Sequence, residues 1–244
     1  MKSSYRFIGD FDLSKIFIRS EDRELLHQLS HVLRLHEGDH IFIGDGKGTE
    51  ALCEITSLEK DWAEFKVIET SENERELSHT IILYCSILKR DNFELVVQKA
   101  TEVGIKEIAP ILLKRTVKLG LDKERLSDIV REAAEQSGRG FLPVLHEPMD
   151  FEGAIEHAKE NEINLFFDVN GEVFEVDRLR VSSGGRLGIF IGPEGGWDQE
   201  EIKRAHESKF KLVSLGALTL RAETAAIVAS YLAALVGQET GDRR

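Results

Sequence analysis

The sequence predicts an α/β chain in two parts, a small β-rich domain followed by a larger domain built on a mostly parallel sheet. Three observations carry this. Apolar residues take alternate positions between about 38 and 70, and residues 71–76 are charged and lack large apolar side chains. Beyond them, apolar strands alternate with amphipathic helices. The division falls after residue 72, giving domains 1–72 and 73–244.

In the first domain, Leu25, Leu26, Leu29, Val32 and Leu33 share a helical spacing over 22–35. Ile41 and Ile43, then Ala51, Cys53 and Ile55, then Ala63, Phe65 and Val67 mark half-buried antiparallel strands. Gly44-Asp45-Gly46-Lys47-Gly48 supplies the positive φ of a hairpin. It leads into another strand rather than a helix, which excludes a dinucleotide fingerprint.

In the second domain a strand over 80–88 leads to a helix over 91–103, whose stripe is Phe93, Val96, Val97, Ala100 and Val103 and whose stop is Gly104. A strand over 107–113 and a helix over 123–136 follow, the latter striped by Leu126, Ile129, Val130, Ala133 and Ala134. Further strands are expected at 164–168, 186–191 and 211–215, with helices near 151–159, 199–208 and 223–236.

At 244 residues, 41% hydrophobic and 31% charged, with 4 Pro, the chain has globular proportions and can bury a sizeable core. No apolar run approaches the roughly 18 residues that span a bilayer, and the start lacks a secretory signal, so no membrane association and a cytoplasmic location are expected. Cys53 and Cys85 fall in predicted strands and are expected to be reduced and buried. His27, His31, His36 and His40 lack the partners of a zinc site, and with no HExxH or CxxC pattern no metal is expected. Trp62 and Trp197 read as packing residues.

The 32 basic and 44 acidic residues leave a net charge of −12, unfavourable for non-specific binding of nucleic acid. One basic island survives between 86 and 120. There Lys89, Arg90, Lys99, Lys106, Lys114, Arg115 and Lys118 face Asp91, Glu94, Glu102 and Glu107, a local +3.

Two segments have the composition of a ligand site. Gly192-Pro193-Glu194-Gly195-Gly196 lies between an apolar strand and a helix opened by Asp198, in the crevice where open α/β sheets bind ligands. Its glycines let a ligand approach backbone N–H groups, and Glu194 offers a carboxylate. No Gly-Lys-Ser/Thr is present there, which excludes a phosphate loop of that form. The second segment, 215–226, brings Arg221, Glu223 and Thr224 to a helix N-terminus, where free N–H groups can hold an anion and where Glu223 also complements the helix dipole.

Taken together, IGPEGGW at 191–197 and LGALTLRAETAA at 215–226 resemble the cofactor loops of the knotted SPOUT methyltransferases, in the form found in bacterial 16S rRNA uridine-N3 methyltransferases. The resemblance extends to Leu88-Lys89-Arg90, to the helix segment 98–104, to 135–139, and to His31-Val32-Leu33-Arg34-Leu35 with Gly38-Asp39. Gly216-Ala217-Leu218 departs from it, because many relatives follow that glycine with Arg or Pro.

The resemblance implies an N-terminal PUA-like β-barrel and a C-terminal trefoil-knot domain that binds S-adenosylmethionine. It also implies a homodimer that acts on 16S rRNA within the assembled small ribosomal subunit. The cofactor residues implied are Leu165, Phe167, Ile191, Gly192, Glu194, Gly195, Gly196, Leu215, Gly216, Leu218, Leu220, Arg221 and Thr224. Methylation at an imide nitrogen calls for loss of a proton, so Glu223 is the candidate base, with Glu102 as the second. Arg221 is the candidate to hold the uracil oxygens or to orient the cofactor. Arg6, Arg34, Lys89, Arg90, Arg115 and Arg139 are the candidate RNA-binding cations. The alternatives are a SPOUT enzyme acting on tRNA or a ribose 2′-hydroxyl, and a non-catalytic RNA-binding assembly factor.

Overall fold

The structure is a computed structural model that describes residues 5–116 and 120–237; Lys118 of the basic island lies outside the described residues. The chain folds as two compact units, Met1–Glu76 with Arg131–Leu142, and Leu77–Val130 with Pro143–Arg244.

The first unit is a five-stranded sheet. Its elements are β1 (Arg6–Ile8), β2 (Phe17–Ser20), α1 (Arg23–His27), β3 (His40–Gly44), β4 (Thr49–Leu58) and β5 (Ala63–Glu72), and the strand order is β1-β3-β4-β5-β2. The period-two residues form its core: Ile41, Ile43, Ala51, Cys53, Ile55, Ala63 and Phe65 are buried against Leu25 and Leu26 of α1 and Leu29 just after it. Val67, opposite Cys53, is only partly buried, and the β4–β5 register slips between Leu52 and Cys53 and again between Ile55 and Ser57.

Asp22 caps α1 by accepting from the N–H groups of Glu24 and Leu25. The predicted helix is shorter than 22–35, since after His27 the chain passes into a π-helical turn, Gln28–Val32, and leaves it at Arg34 with φ 54°. Strands β1 and β2 escape sequence periodicity because three or four residues are too few to show alternation. Residues Arg131–Leu142 pack in this unit, although the linear division assigns them to the second domain. Ile8 N–H donates to Glu135 Oε1 at 2.8 Å, and Asn73 Nδ2 donates to Gly138 O at 3.1 Å. Burial pushes the Glu135 carboxyl up to about 7 against that Ile8 hydrogen bond.

The second unit carries a seven-stranded, all-parallel sheet. Its elements are β6 (Thr80–Ser86), α2 (Arg90–Glu102), β7 (Glu107–Leu112), the part of α3 (Lys123–Ser137) up to Val130, β8 (Val144–Leu145), β9 (Met149–Asp150), α4 (Phe151–His157), β10 (Ile163–Val173), β11 (Arg186–Ile191), α5 (Gln199–Glu207), β12 (Lys211–Ser214) and α6 (Ala222–Ala234). The strand order is β12-β10-β11-β6-β7-β8, with β9 also pairing β7. Ile81, Ile82, Leu83, Tyr84 and Cys85 are all fully buried, the continuous apolar run expected of a strand covered on both faces.

Strand β10 continues past the expected end at 168, where Asn170 and Gly171 look locally like a turn. Gly171 is needed there: a Cβ would lie 2.5 Å from the Val213 backbone of β12. The crossovers from β6 to β7 and from β11 to β12 run in opposite directions along the sheet, which opens a crevice over the carboxyl ends of the strands between them.

Candidate active site

A cleft of about 710 Å³ occupies that crevice, within the range of small-molecule sites. Its walls are Phe167, Asp168 and Val169 of β10, Ile191 at the end of β11 and residues 192–197 after it, residues 219–223 at the start of α6, Lys89 and Asn92 at the start of α2, and Arg115. Three cations, Lys89, Arg115 and Arg221, face three carboxylates, Asp168, Glu194 and Glu223, so the cleft is locally balanced in a chain of net charge −12.

The glycine turn is held from beneath by Trp197. Its indole Nε1 donates to Phe167 O at 2.9 Å and its ring lies 4.1 Å from that of Phe166, centroid to centroid. Gly192 must lack a side chain because a Cβ would meet the indole at 2.9 Å. Pro193 O accepts from Gly196 N–H at 2.8 Å to close the turn, and Gly196 has φ 68°. Arg115 Nη1 donates to Gly195 O at 2.8 Å, which fixes the outer edge of the loop. Asp198 then starts α5 with a capping box completed by Glu201.

Across the cleft, Glu223 stands in the first turn of α6 and is 8% exposed. Its Oε2 is buried with no hydrogen-bond partner among the described residues, and its Oε1 lies 4.0 Å from Arg221 Nη1. A buried carboxylate oxygen left unpaired is costly, and it marks a place where a donor from a bound molecule would be favoured. Cys85 ends under the same crevice, but complete burial, with the Glu194 charge adding to it, pushes its thiol up and disqualifies it as a nucleophile.

Of the expected cofactor residues, Phe167, Ile191, Gly192, Glu194, Gly195, Gly196, Leu220 and Arg221 line the cleft. Leu165 is buried inside β10 at 1% exposure, and Leu215, Gly216, Leu218 and Thr224 lie off the cleft wall, Leu218 being 80% exposed. Glu223 and Arg221 are brought together, whereas Glu102 is not. The N-terminal end of α2 meets the cleft, and Glu102 sits at its far end, paired with Lys99 at 2.7 Å.

Among the expected RNA-binding cations, Lys89 and Arg115 are on the cleft wall, and Arg34 is exposed in the first unit. Arg90 is held by Glu94 at 3.0 Å and Asp122 at 3.7 Å. Arg6 and Arg139 are buried ties of the first unit, bound to Glu50 and Glu76, each at 2.9 Å. Their partners lie 44 and 63 residues away, beyond any local pattern. Asn92 and Asp168 were missed; Asn92 stands in the first turn of α2, three residues after Lys89 at its N-cap, a usable signal.

This fold and cleft define an RNA methyltransferase of the α/β class: a family model described as an RNA methyltransferase domain matches residues 75–234, and one described as an RNA methyltransferase PUA domain matches 29–68. The ribosomal RNA small subunit methyltransferase E of Bacillus subtilis is 32% identical over 226 residues, covering 84% of this chain and 85% of its own. The chain belongs to the ribosomal RNA small subunit methyltransferase E family. The crystal structure of that enzyme from Neisseria gonorrhoeae, bound to S-adenosyl methionine, superposes with a TM-score of 0.84 at 29% identity over 95% of this chain and 96% of its own. A methyltransferase from Legionella pneumophila in complex with the same cofactor gives 0.82 at 28% identity over 93% of this chain and 95% of its own.

Proposed function

We propose that the protein transfers the methyl group of S-adenosylmethionine to N3 of a uridine in 16S rRNA, acting on the assembled small ribosomal subunit in the cytoplasm. The observation that carries this is the buried, unpaired Oε2 of Glu223 in a cleft wall shared with Lys89, Arg115 and Arg221.

The cleft suits the cofactor. A Cβ at Gly195 would touch only Arg115, at 3.6 Å, and one at Gly196 would touch nothing within 4 Å, so backbone stands open to a bound nucleoside. When bound, S-adenosylmethionine supplies an electrophilic methyl group. Residues 192–196 with Phe167 and Leu220 would grip it from the two sides.

Glu223 is the residue placed to remove the imide proton as the N3–C bond forms. The uracil edge reads acceptor, donor, acceptor: O4, N3–H, O2. An acceptor-only carboxylate that has Arg221 4.0 Å away and shares the cleft wall with Lys89, both donor-only side chains, is complementary to it. Cytosine would set its N3 lone pair against the carboxylate, and a ribose hydroxyl has no use for the two donors. The helix α6 returns from the β12 side to pack on β11 and β6, which supports a knotted C-terminus. Val169, Val173, Leu218 and Tyr231, each more than half exposed, support a two-fold dimer, which light scattering tests.

Mass spectrometry of 16S rRNA nucleosides from cells lacking the gene tests the activity. Loss of one N3-methyluridine, restored by the gene, is the expected result; an unchanged nucleoside with a change in tRNA or in a 2′-O-methyl group overturns the proposal. Two variants separate its parts. Gly195→Val is expected to leave the melting temperature unchanged, because its Cβ has room, yet to abolish S-adenosylmethionine binding in calorimetry by filling the cleft. Lys89→Ala is expected to weaken binding of the small subunit and to lower the log–log salt slope by about 1. Arg90→Ala should do less, since that side chain is already held by Glu94 and Asp122.

A further inference from the structure

The amino-terminal ends of the same sheet hold a second polar constellation, away from the cleft. Glu107 opens β7, Arg186 opens β11, His146 follows β8 and His157 closes α4. His146 Nε2 lies 2.9 Å from Glu107 Oε2, and one ligand atom from each of Glu107, His146 and His157 falls within 4.8 Å of the others. The two imidazole rings meet edge-on with centroids 5.0 Å apart. We propose that Glu107, His146 and His157 bind a borderline divalent cation, zinc first.

The donor set decides the class of ion. Two imidazoles and one carboxylate suit zinc, with a fourth position for water, whereas calcium and magnesium prefer oxygen alone. The surrounding contacts orient the ligands as outer partners do in metal sites. Arg186 Nη1 donates to Glu107 Oε1 at 2.8 Å, which leaves Oε2 turned toward His146. The Tyr84 hydroxyl lies 2.6 Å from His157 Nδ1, so Nε2 is the nitrogen left for an ion. Asn161 Nδ2 in turn donates to the Tyr84 oxygen at 3.3 Å.

Backbone fixes the same residues: His146 N–H donates to Ile108 O at 2.9 Å. The cation takes the place of the hydrogen bond between His146 Nε2 and Glu107 Oε2, and the single ring proton of the neutral imidazole moves to Nδ1 so that the Nε2 lone pair can bind the ion. The Arg186 charge opposes the ion and moderates its affinity. Bound there, the ion would tie β7, the turn after β8 and α4 together, a structural role separate from methyl transfer. His27, His31, His36 and His40, on which the expectation of no metal rested, take no part.

The full chain, stripped with a chelator and dialysed, is titrated with zinc chloride by calorimetry, and with Co²⁺ as a spectroscopic probe. One ion per chain, the intense visible bands of four-coordinate Co²⁺ and a raised melting temperature are expected. His157→Gln should remove these signals, and Tyr84→Phe should weaken binding about 10- to 100-fold. The stacked pair His27 and His31, with ring centroids 4.9 Å apart, is the adventitious alternative, and His31→Gln should change nothing. S-adenosylmethionine affinity of the stripped chain should equal that of the loaded one. Absence of uptake, or uptake lost in His31→Gln and kept in His157→Gln, overturns the proposal. If His157→Gln fails to fold, the Co²⁺ spectrum of the unmodified chain and its change in Tyr84→Phe decide.

Discussion

Glu223→Gln lowers the rate of methyl transfer to small ribosomal subunits by roughly 10²- to 10⁴-fold, the usual contribution of a positioned base, while binding of cofactor and RNA is nearly preserved. The change keeps the shape of the side chain and removes only its capacity to take a proton. The loss should therefore appear in kcat, with KM little altered. Raising the pH should partly rescue the variant, because the imide then ionises without help from the protein. A structural role cannot produce that rescue. Single-turnover methylation against pH, with calorimetry of cofactor binding alongside, provides the check. A normal rate would reduce Glu223 to a helix-end residue that complements the α6 dipole. Glu102 could not replace it from the far end of α2, where it pairs with Lys99, so the proton would then pass to solvent.

The site was legible where chemistry is local in sequence. A glycine turn must follow its strand directly and a helix-end cluster must open its helix, so the segments 192–196 and 215–226 could be read before any fold was known, although within the second only 219–223 and Ala225 line the cleft. The apolar alternation that exposed β3, β4 and β5 is local in the same way. Contacts between distant segments were not legible. The ties from Arg6 to Glu50 and from Arg139 to Glu76 make two expected RNA cations into buried structural ones, and no spacing announces them. The meeting of Glu107, His146 and His157 requires β7, β8 and α4 to be assembled first. Leu165 and Phe167 share a strand face, yet only Phe167 reaches the cleft because it stands nearer the carboxyl end of β10. Periodicity gives the face of a residue and not its height along the sheet.

Trp197→Ala should cost about 3–5 kcal/mol, the range for deleting a large buried aromatic ring. Three features make this site sensitive. The indole is 5% exposed, lies tilted against Phe166 at 4.1 Å with Phe151 5.8 Å away, and gives its only N–H to Phe167 O. Truncation leaves a cavity in the core cluster that holds Phe151, Phe166 and Phe190 and strands that carbonyl without its donor. At about 2–4 °C per kcal/mol for a domain of this size, the melting temperature should fall by about 10 °C. Trp197→Phe separates the two contributions. It keeps most of the packing and loses the hydrogen bond, so about 1–3 kcal/mol is expected. Because the indole fills the space that Gly192 leaves open, both variants should loosen the 192–196 turn and weaken S-adenosylmethionine binding, the alanine variant more. Denaturant unfolding and calorimetry on the two proteins measure the pair of effects. A melting temperature within about 2 °C of the unmodified chain in Trp197→Ala, set against the 3–5 kcal/mol above, would mean that the turn is held by Pro193, Gly196 and Arg115 alone.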